Sequence, residues 1–435
     1  MTTAAEKRLA AMRELLAHAR EQLGLELGIV LWDGSTIPGD LSPDTLAIMI
    51  ADEGSVAALI RRPKLETLLN LIVSARLCIR NGTLFDLMSM RTRVRAKDFL
   101  KVLDKALALR TALRFLFVSR GGPFPLDHLK GDQARMDGSE AANRENIDYH
   151  YNLSNKFYEL FLDPEMVYSC AYFTEPHDDI ARAQRDKLDI ICRKLRLKSD
   201  EVLLDIGCGW GSLLIHAARH YGAKGHGVTL AREQYAYAMD KIARLGLQDR
   251  IKIEFKDYSK LEGSFDKIAS IGMFEQVGSP NFALYFSTVN RLLKPKGLYL
   301  HHAIGLPARR TDRDFLRRNR KKGRLVTRYI FPGGELDHIG MSVANLERHG
   351  FEVHDVEAWR EHYARTTHLW HDRLLANFTA AEREVGTAKA RLWLLYLGAV
   401  SIGFDRGTTG VFQTLASKRK RGASGVPLSR ADLYR

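Results

Sequence analysis

Cysteine is scarce in this chain of 435 residues: Cys78, Cys170, Cys192 and Cys208 are all there is. No two of them make a C-x-x-C pair, so neither a zinc site nor a disulfide framework is implied. A reducing cytoplasm is the expected compartment. Long apolar runs are missing as well. The longest, Leu392 to Phe404, falls short of the roughly 17–25 residues that span a bilayer. Met1 to Leu23 is charged and reads as helical, without an apolar signal core. The chain is therefore expected to be soluble or peripheral to a membrane. Acidic residues are outnumbered, 52 against 66 Lys and Arg, for a net charge of +14. That excess suggests an anionic partner, either nucleic acid or a membrane surface. The composition is otherwise that of a globular protein, and the length suits two or three domains.

The first stretch reads as α+β. Leu9, Met12, Leu15, Leu16 and Leu23 recur at helical spacing over 5–23. Strand-like pieces follow at Gly28 to Trp32, Leu46 to Ile50 and Arg76 to Arg80, with turn signals at Asp33-Gly34 and Asn81-Gly82. Ser55 to Arg62 and Lys64 to Ser74 read as helices between them. In pattern this block resembles the sterol-carrier-protein type of lipid-binding fold; a generic α+β accessory domain fits it too. Lys97 to Ser119 carries another apolar stripe, and Gly121 to Asn146 turns to Gly, Pro, Asp and Lys without a period. The expected organisation is an accessory domain at 1–95, a helix and linker at 96–146, and a catalytic domain at 147–435.

From 147 onward strands and helices alternate. Strands are predicted at 201–206, 225–230, 251–255, 266–272 and 296–303, and helices at 212–221, 231–245 and 281–293. Such alternation predicts a doubly wound, Rossmann-like parallel sheet, with ligands at the carboxyl ends of its strands. The stretch Val202-Leu203-Leu204-Asp205-Ile206-Gly207-Cys208-Gly209-Trp210-Gly211 joins a buried strand to a helix through alternate glycines. Glycine lets the backbone turn tightly and approach a ligand, and the helix N-terminus offers free N–H groups. The third glycine comes one residue too early for the dinucleotide pattern G-x-G-x-x-G. The second strand ends Gly227-Val228-Thr229-Leu230, without the acid that a dinucleotide ribose usually meets. Gln234, one helical turn on, can bond hydroxyls instead. Asp257 could accept from an adenine amino group, or could simply cap a turn. The glycine stretch resembles the first motif of S-adenosylmethionine (SAM) methyltransferases.

Asp205 to Gly211, Val228-Thr229-Leu230 with Gln234, Tyr168-Ser169-Cys170-Ala171-Tyr172-Phe173, Gly272-Met273-Phe274-Glu275, His302-Ala303-Ile304-Gly305 and Tyr329-Ile330-Phe331-Pro332-Gly333-Gly334 occur together. As a set, over about 147–415, they resemble the cyclopropane-fatty-acyl-phospholipid synthase family, whose relatives include the mycolic acid cyclopropane synthases. The resemblance implies SAM binding by Tyr168, Ser169, Asp205, Gly207, Gly209, Gly211, Thr229, Leu230, Gln234, Asp257 and Tyr258. It implies methylene transfer to the double bond of a phospholipid acyl chain. Attack of the alkene on the sulfonium methyl leaves a carbocation, and a base must then take a proton from the new methyl group for the ring to close. Aromatic faces would tolerate the cation. Tyr151 matches an aromatic of the family pocket, near Tyr149, His150, Phe157 and Tyr158, although such aromatics also serve as core. The base implied is a bound bicarbonate, held by Cys170, Glu275, His302, Ile304 and Tyr363. His302 could instead be structural, with His301 beside it competing for the inward position. A buried Glu275 without a partner would be costly, which argues for pairing with His302 or a bound anion. Cys170 could be a small buried apolar residue. No metal is implied.

The pattern departs in two places. Relatives often read Glu-His-Val-Gly where this chain has Glu275-Gln276-Val277-Gly278, and a cysteine where it has Val400. Eight Arg and two Lys lie between Arg309 and Arg328, against Asp312 and Asp314, and the C-terminal region adds Lys418-Arg419-Lys420-Arg421. The run could be a solvated face; next to the site it suggests docking on anionic phospholipid at the inner face of the cytoplasmic membrane. A lipid C-methyltransferase giving methyl-branched or methylene chains is the near alternative, since one cation leads to either. An RNA methyltransferase and a non-catalytic lipid-binding protein are remoter: no RNA-binding module stands out, and binding alone would not need Glu275, His302 and Tyr363. A homodimer is expected from the relatives.

Overall fold

A computed structural model describes residues 3–90, 93, 98–128, 153–322, 329–331 and 333–434. Tyr149, His150, Tyr151, most of the expected linker and part of the basic run lie outside the described residues. The chain divides into two compact units, Met1–Lys130 with Gly386–Gly398, and Gly131–Val385 with Ala399–Arg435.

In the first unit the helix Ala4–Leu23 starts in a capping box, with Thr3 and Glu6 bonding each other's backbone N–H. Four strands follow: β1 (Gly28–Val30), β2 (Thr36–Ile37), β3 (Ala47–Ile50) and β4 (Leu77–Arg80), in the order β2-β1-β3-β4. Met12, Ile29, Leu31, Ile37, Val56, Ala57 and Phe115 form the core. Asp52 caps the helix Glu53–Arg61 and takes two hydrogen bonds from the Arg76 guanidinium. The predicted helix at 97–119 is broken into Phe99–Val102 and Lys105–Phe115. Asp104 causes the break, because its carboxylate caps the second piece through the N–H groups of Ala106 and Leu107.

The second unit holds a larger sheet. Its strands are β5 (Val202–Ile206), β6 (Lys224–Thr229), β7 (Ile251–Phe255), β8 (Phe265–Ile271), β9 (Leu293–Gly305), β10 (Phe351–Ala358) and β11 (Gly410–Lys418). They run in the order β10-β11-β9-β8-β5-β6-β7. The five predicted strands are there and pair in parallel, and two more, β11 and β10, extend the sheet antiparallel beyond β9. β10 went unpredicted because an edge strand half open to water carries His354, Asp355 and Glu357 among its apolar residues. Alternation along β5 sends Leu203 into the apolar layer with Leu214, Ile242 and Leu300, and Leu204 into the opposite layer with Phe265, Phe286 and Val289. Sequence order reverses between β5 and β8, which opens a crevice at their carboxyl ends. The Gly/Thr-rich segment before β11 ends the preceding helix: Gly407 is left-handed at φ +67 and the Thr408 N–H bonds Gly403 O at 2.9 Å.

Candidate active site

The glycine turn after β5 forms the floor of a pocket at the strand tips. The N–H groups of Gly207 and Cys208 both bond Val228 O, at 2.9 and 3.0 Å, which ties the turn to β6. Gly207, Gly209 and Gly211 have φ of +82, +54 and +83, a region that side chains disfavour. A Cβ on Gly207 would come 2.7 Å from the Met273 side chain, whereas one on Gly209 would meet nothing within 4 Å. Gly209 thus keeps space open for a ligand. Gly211 is the N-cap of the helix Ser212–Tyr221 and does not line the pocket.

Tyr168, Ser169, Asp205, Thr229, Leu230, Gln234, Asp257 and Tyr258 all line this pocket with Gly207 and Gly209. The Thr229 hydroxyl donates to Gln234 Oε1 at 3.3 Å, fixing the amide beside the β6 tip. Asp257 lines the pocket and also caps the following turn, accepting from Ser259 N at 2.8 Å. Asp205 is 3% exposed and its Oδ1 has no partner among the described residues. Burial pushes its carboxyl up to about 7, against the pull of Lys187. Lys187, which the motifs missed, also lines the pocket, and its ammonium donates to Ser169 Oγ at 2.8 Å. Burial brings it down to about 8, opposed by Asp163, Cys170 and Asp205. A signal for it existed: Ala183, Lys187, Ile191 and Lys194 fall on the buried stripe of the helix Ile180–Lys194. A lysine on an apolar stripe is informative because burying an ammonium is costly.

A second group of predicted residues assembles beside the pocket. Cys170 packs in one apolar cluster with Trp359, Phe404 and Val411, and with Ile304, Tyr363 and Val400 at its margin. Tyr363 stacks on Phe404 at 4.6 Å between centroids. Cys170 Sγ lies 3.3 Å from Ala171 O and 3.8 Å from Trp359 O, and burial holds it as a thiol. Val400 fills its place in this wall without a thiol. Glu275 and His302 do not bond each other. Glu275 Oε1 accepts from Ile304 N at 2.6 Å, while Oε2 has no partner among the described residues. Burial raises its carboxyl to about 7. Strand alternation resolves the two histidines. His301 faces the layer of Tyr299 and Phe286, with Tyr299 OH at 2.9 Å and Ser342 Oγ at 3.3 Å. His302 lies on the opposite face, edge-on to Trp359 at 5.5 Å. Its Nδ1 meets Gln413 Nε2 at 3.1 Å, and its Nε2 has no partner among the described residues.

The site can therefore do two things. The pocket offers a buried carboxyl with one oxygen unpartnered among the described residues, a fixed amide and a glycine-walled gap, which suit a ligand with an ammonium, ribose hydroxyls and a base. Next to it, Glu275 Oε2 and His302 Nε2 are buried without partners among the described residues, on side chains that touch Ile304 and Trp359 of the apolar cluster. Gln276, in place of the family histidine, lines the pocket too.

The family model described as mycolic acid cyclopropane synthetase matches residues 139–414. A probable fatty acid methyltransferase of Pseudomonas putida is 35% identical over 97% of this chain and 99% of its own length. The cyclopropane-fatty-acyl-phospholipid synthase of Escherichia coli K12 is 35% identical over 62% of this chain and 66% of its own. Among solved structures, the cyclopropane synthase MmaA2 from Mycobacterium tuberculosis aligns with a TM-score of 0.60 at 30% identity, covering 63% of this chain and 98% of that one. The mycolic acid cyclopropane synthase CmaA1, solved with S-adenosylhomocysteine, aligns at 0.58 and 32% identity over 63% and 98%. The chain belongs to the mycolic acid cyclopropane synthetase family and is a SAM-dependent methyltransferase.

Proposed function

We propose that this enzyme methylates the double bond of an unsaturated acyl chain in a membrane phospholipid and closes the product to a cyclopropane. The observation that carries the reading is two buried atoms without partners among the described residues, Glu275 Oε2 and His302 Nε2, on side chains that touch Ile304 and Trp359 of one apolar cluster. Methyl transfer to an amine or hydroxyl needs no water-free place to handle a carbon-bound proton; ring closure does. The alkene carbon takes the sulfonium methyl, the S–C bond breaks, and the cation loses a proton from the new methyl as the ring bond forms. The net gain is one CH₂.

The chain's own groups have separable parts in this scheme. Asp205, buried with its Oδ1 unpartnered among the described residues, balances the positive charge of SAM. Glu275, tied by one oxygen to Ile304 N, presents the other to the reacting region. Tyr363, Phe404 and Trp359 supply aromatic faces to a passing cation. The Cys170 thiol, held neutral, is no covalent nucleophile. Bicarbonate, when bound, would supply the proton acceptor; the free Glu275 and His302 atoms fit such an anion, though the Ile304 N–H is already engaged by Glu275.

A second reading keeps the methyl transfer and ends in a methyl-branched or methylene chain. The Pseudomonas putida relative, named a probable fatty acid methyltransferase, favours it over nearly the whole chain. Purified enzyme, SAM and vesicles of unsaturated phospholipid decide between them by mass spectrometry before and after catalytic hydrogenation. A gain of one CH₂ with no hydrogen uptake is expected. A chain that still takes up hydrogen is the methylene product, and a saturated branched chain means that a hydride source closed the reaction. Unmodified lipid overturns both readings.

A further inference from the structure

The helix Ile180–Lys194 ends in the protein interior. Lys194 is 2% exposed; its ammonium bonds the Glu357 carboxylate and donates to Gln413 Oε1 at 2.6 Å. It also stands 5.0 Å from the centroid of the Trp359 ring. Gln413 is 1% exposed and faces His302 directly across the β9–β11 pairing. An ammonium has only hydrogens to offer, so the amide atom that meets Lys194 must be the oxygen. The amide NH₂ is thereby turned toward His302, 3.1 Å from Nδ1. That group also only donates, so Nδ1 accepts and carries no proton. Burial, with Lys187 and Lys194 nearby, holds the ring neutral. A neutral imidazole with a bare Nδ1 keeps its proton on Nε2.

We propose that Lys194 and Gln413 are positioning residues that lock His302 as the Nε2–H tautomer, so that His302 offers the site a hydrogen-bond donor and not a base. Glu357 completes the relay by balancing the buried ammonium. The proton released from the substrate then goes to another group, and His302 steadies an oxygen atom of that group. The functional half of this inference rests on the proposed proton-handling role of the Glu275–His302 pair. The tautomer itself does not.

Selective ¹⁵N-histidine labelling of the whole protein, without substrate, reads the tautomer. The His302 signals are those lost in His302→Gln. A protonated, pyrrole-type Nε2 with a bare, pyridine-type Nδ1 is expected; the reverse assignment, or a doubly protonated ring at neutral pH, overturns the proposal. Gln413→Glu puts an acceptor opposite Nδ1 and should draw the proton there. Lys194→Met frees the amide to flip and should give a mixture. A folded variant whose His302 spectrum is unchanged shows that the relay does not set the tautomer. Both variants should lose turnover by about 10²–10⁴-fold, the usual range for a misplaced acid–base proton, with SAM affinity within about twofold. Loss of SAM affinity in step with turnover would mean a merely structural role. If either variant fails to fold, the wild-type spectrum still decides. A lipid product other than the ring leaves the tautomer result standing, so the two readings fail separately.

Discussion

Glu275 is the side chain on which chemistry and stability meet. Its carboxyl is raised from 4.5 to about 7 by burial, so the folded protein keeps a proton there that the unfolded chain loses. Below about pH 4.5 both states are protonated and the group is neutral in the balance. As pH rises from there to about 7, wild-type stability falls on its account, then stays level. Glu275→Gln has no such proton. Its stability relative to wild type should therefore climb through that window, by up to about 3 kcal/mol. Urea unfolding at pH 4.5 and 7.5 checks this, and a gap independent of pH would refute the burial account. The variant should also bind SAM and form no product; retained turnover would remove Glu275 from the mechanism. Motifs made Glu275, Asp205 and Cys170 legible. Lys187 and Lys194 were not, because a lysine is read as solvent-facing unless the helix stripe beneath it is counted.

The strand–turn–helix unit at β5 was legible because its conformation is local. Glycines at positive φ, an apolar strand and a helix start within a dozen residues specify it without distant help. Its glycines nevertheless differ in purpose, and substitution should separate them. Gly207→Ala drives a methyl toward Met273 at 2.7 Å and should lower the melting temperature. Gly209→Ala meets no protein atom within 4 Å; its strain of about 1–2 kcal/mol costs less stability, but the methyl enters the pocket. Calorimetry should find SAM binding weakened at least about tenfold in Gly209→Ala and a larger melting shift in Gly207→Ala. The reverse order would mean that the gap beside Gly209 is not where the ligand sits. β11 shows the opposite case. Its Gln413 has no motif, and its importance comes from lying across from His302 in an antiparallel pairing.

Over the molecule as a whole, the charge of +14 remains the property to explain. No described helix is long and apolar enough to cross a membrane. The helix Asp312–Lys322 spends part of its basic character internally, since Asp314 pairs with both Arg317 and Arg318. Arg309, Arg310 and Arg313 are exposed and form no ion pair among the described residues. Each basic residue near an anionic bilayer contributes about 1 kcal/mol, screened by salt. Reversing these three to glutamate should weaken sedimentation with anionic vesicles, and the loss should shrink as salt is added. Binding that is unchanged at low salt would end the docking proposal for this segment.

Residue order alone was enough for the α/β class, the glycine turn after β5 and the family, because each is written in short windows where backbone preference and apolar spacing agree. It favoured His302 over His301 only through the family's spacing, and it could not say that Glu275 would bond Ile304 N instead of His302, or that Lys194 and Gln413 stand behind the histidine. The contact of Gln413 with His302 depends on strand register between segments 111 residues apart. Register is chosen when the sheet closes and buries both faces at once, and a slip of one residue would have exchanged the two histidines.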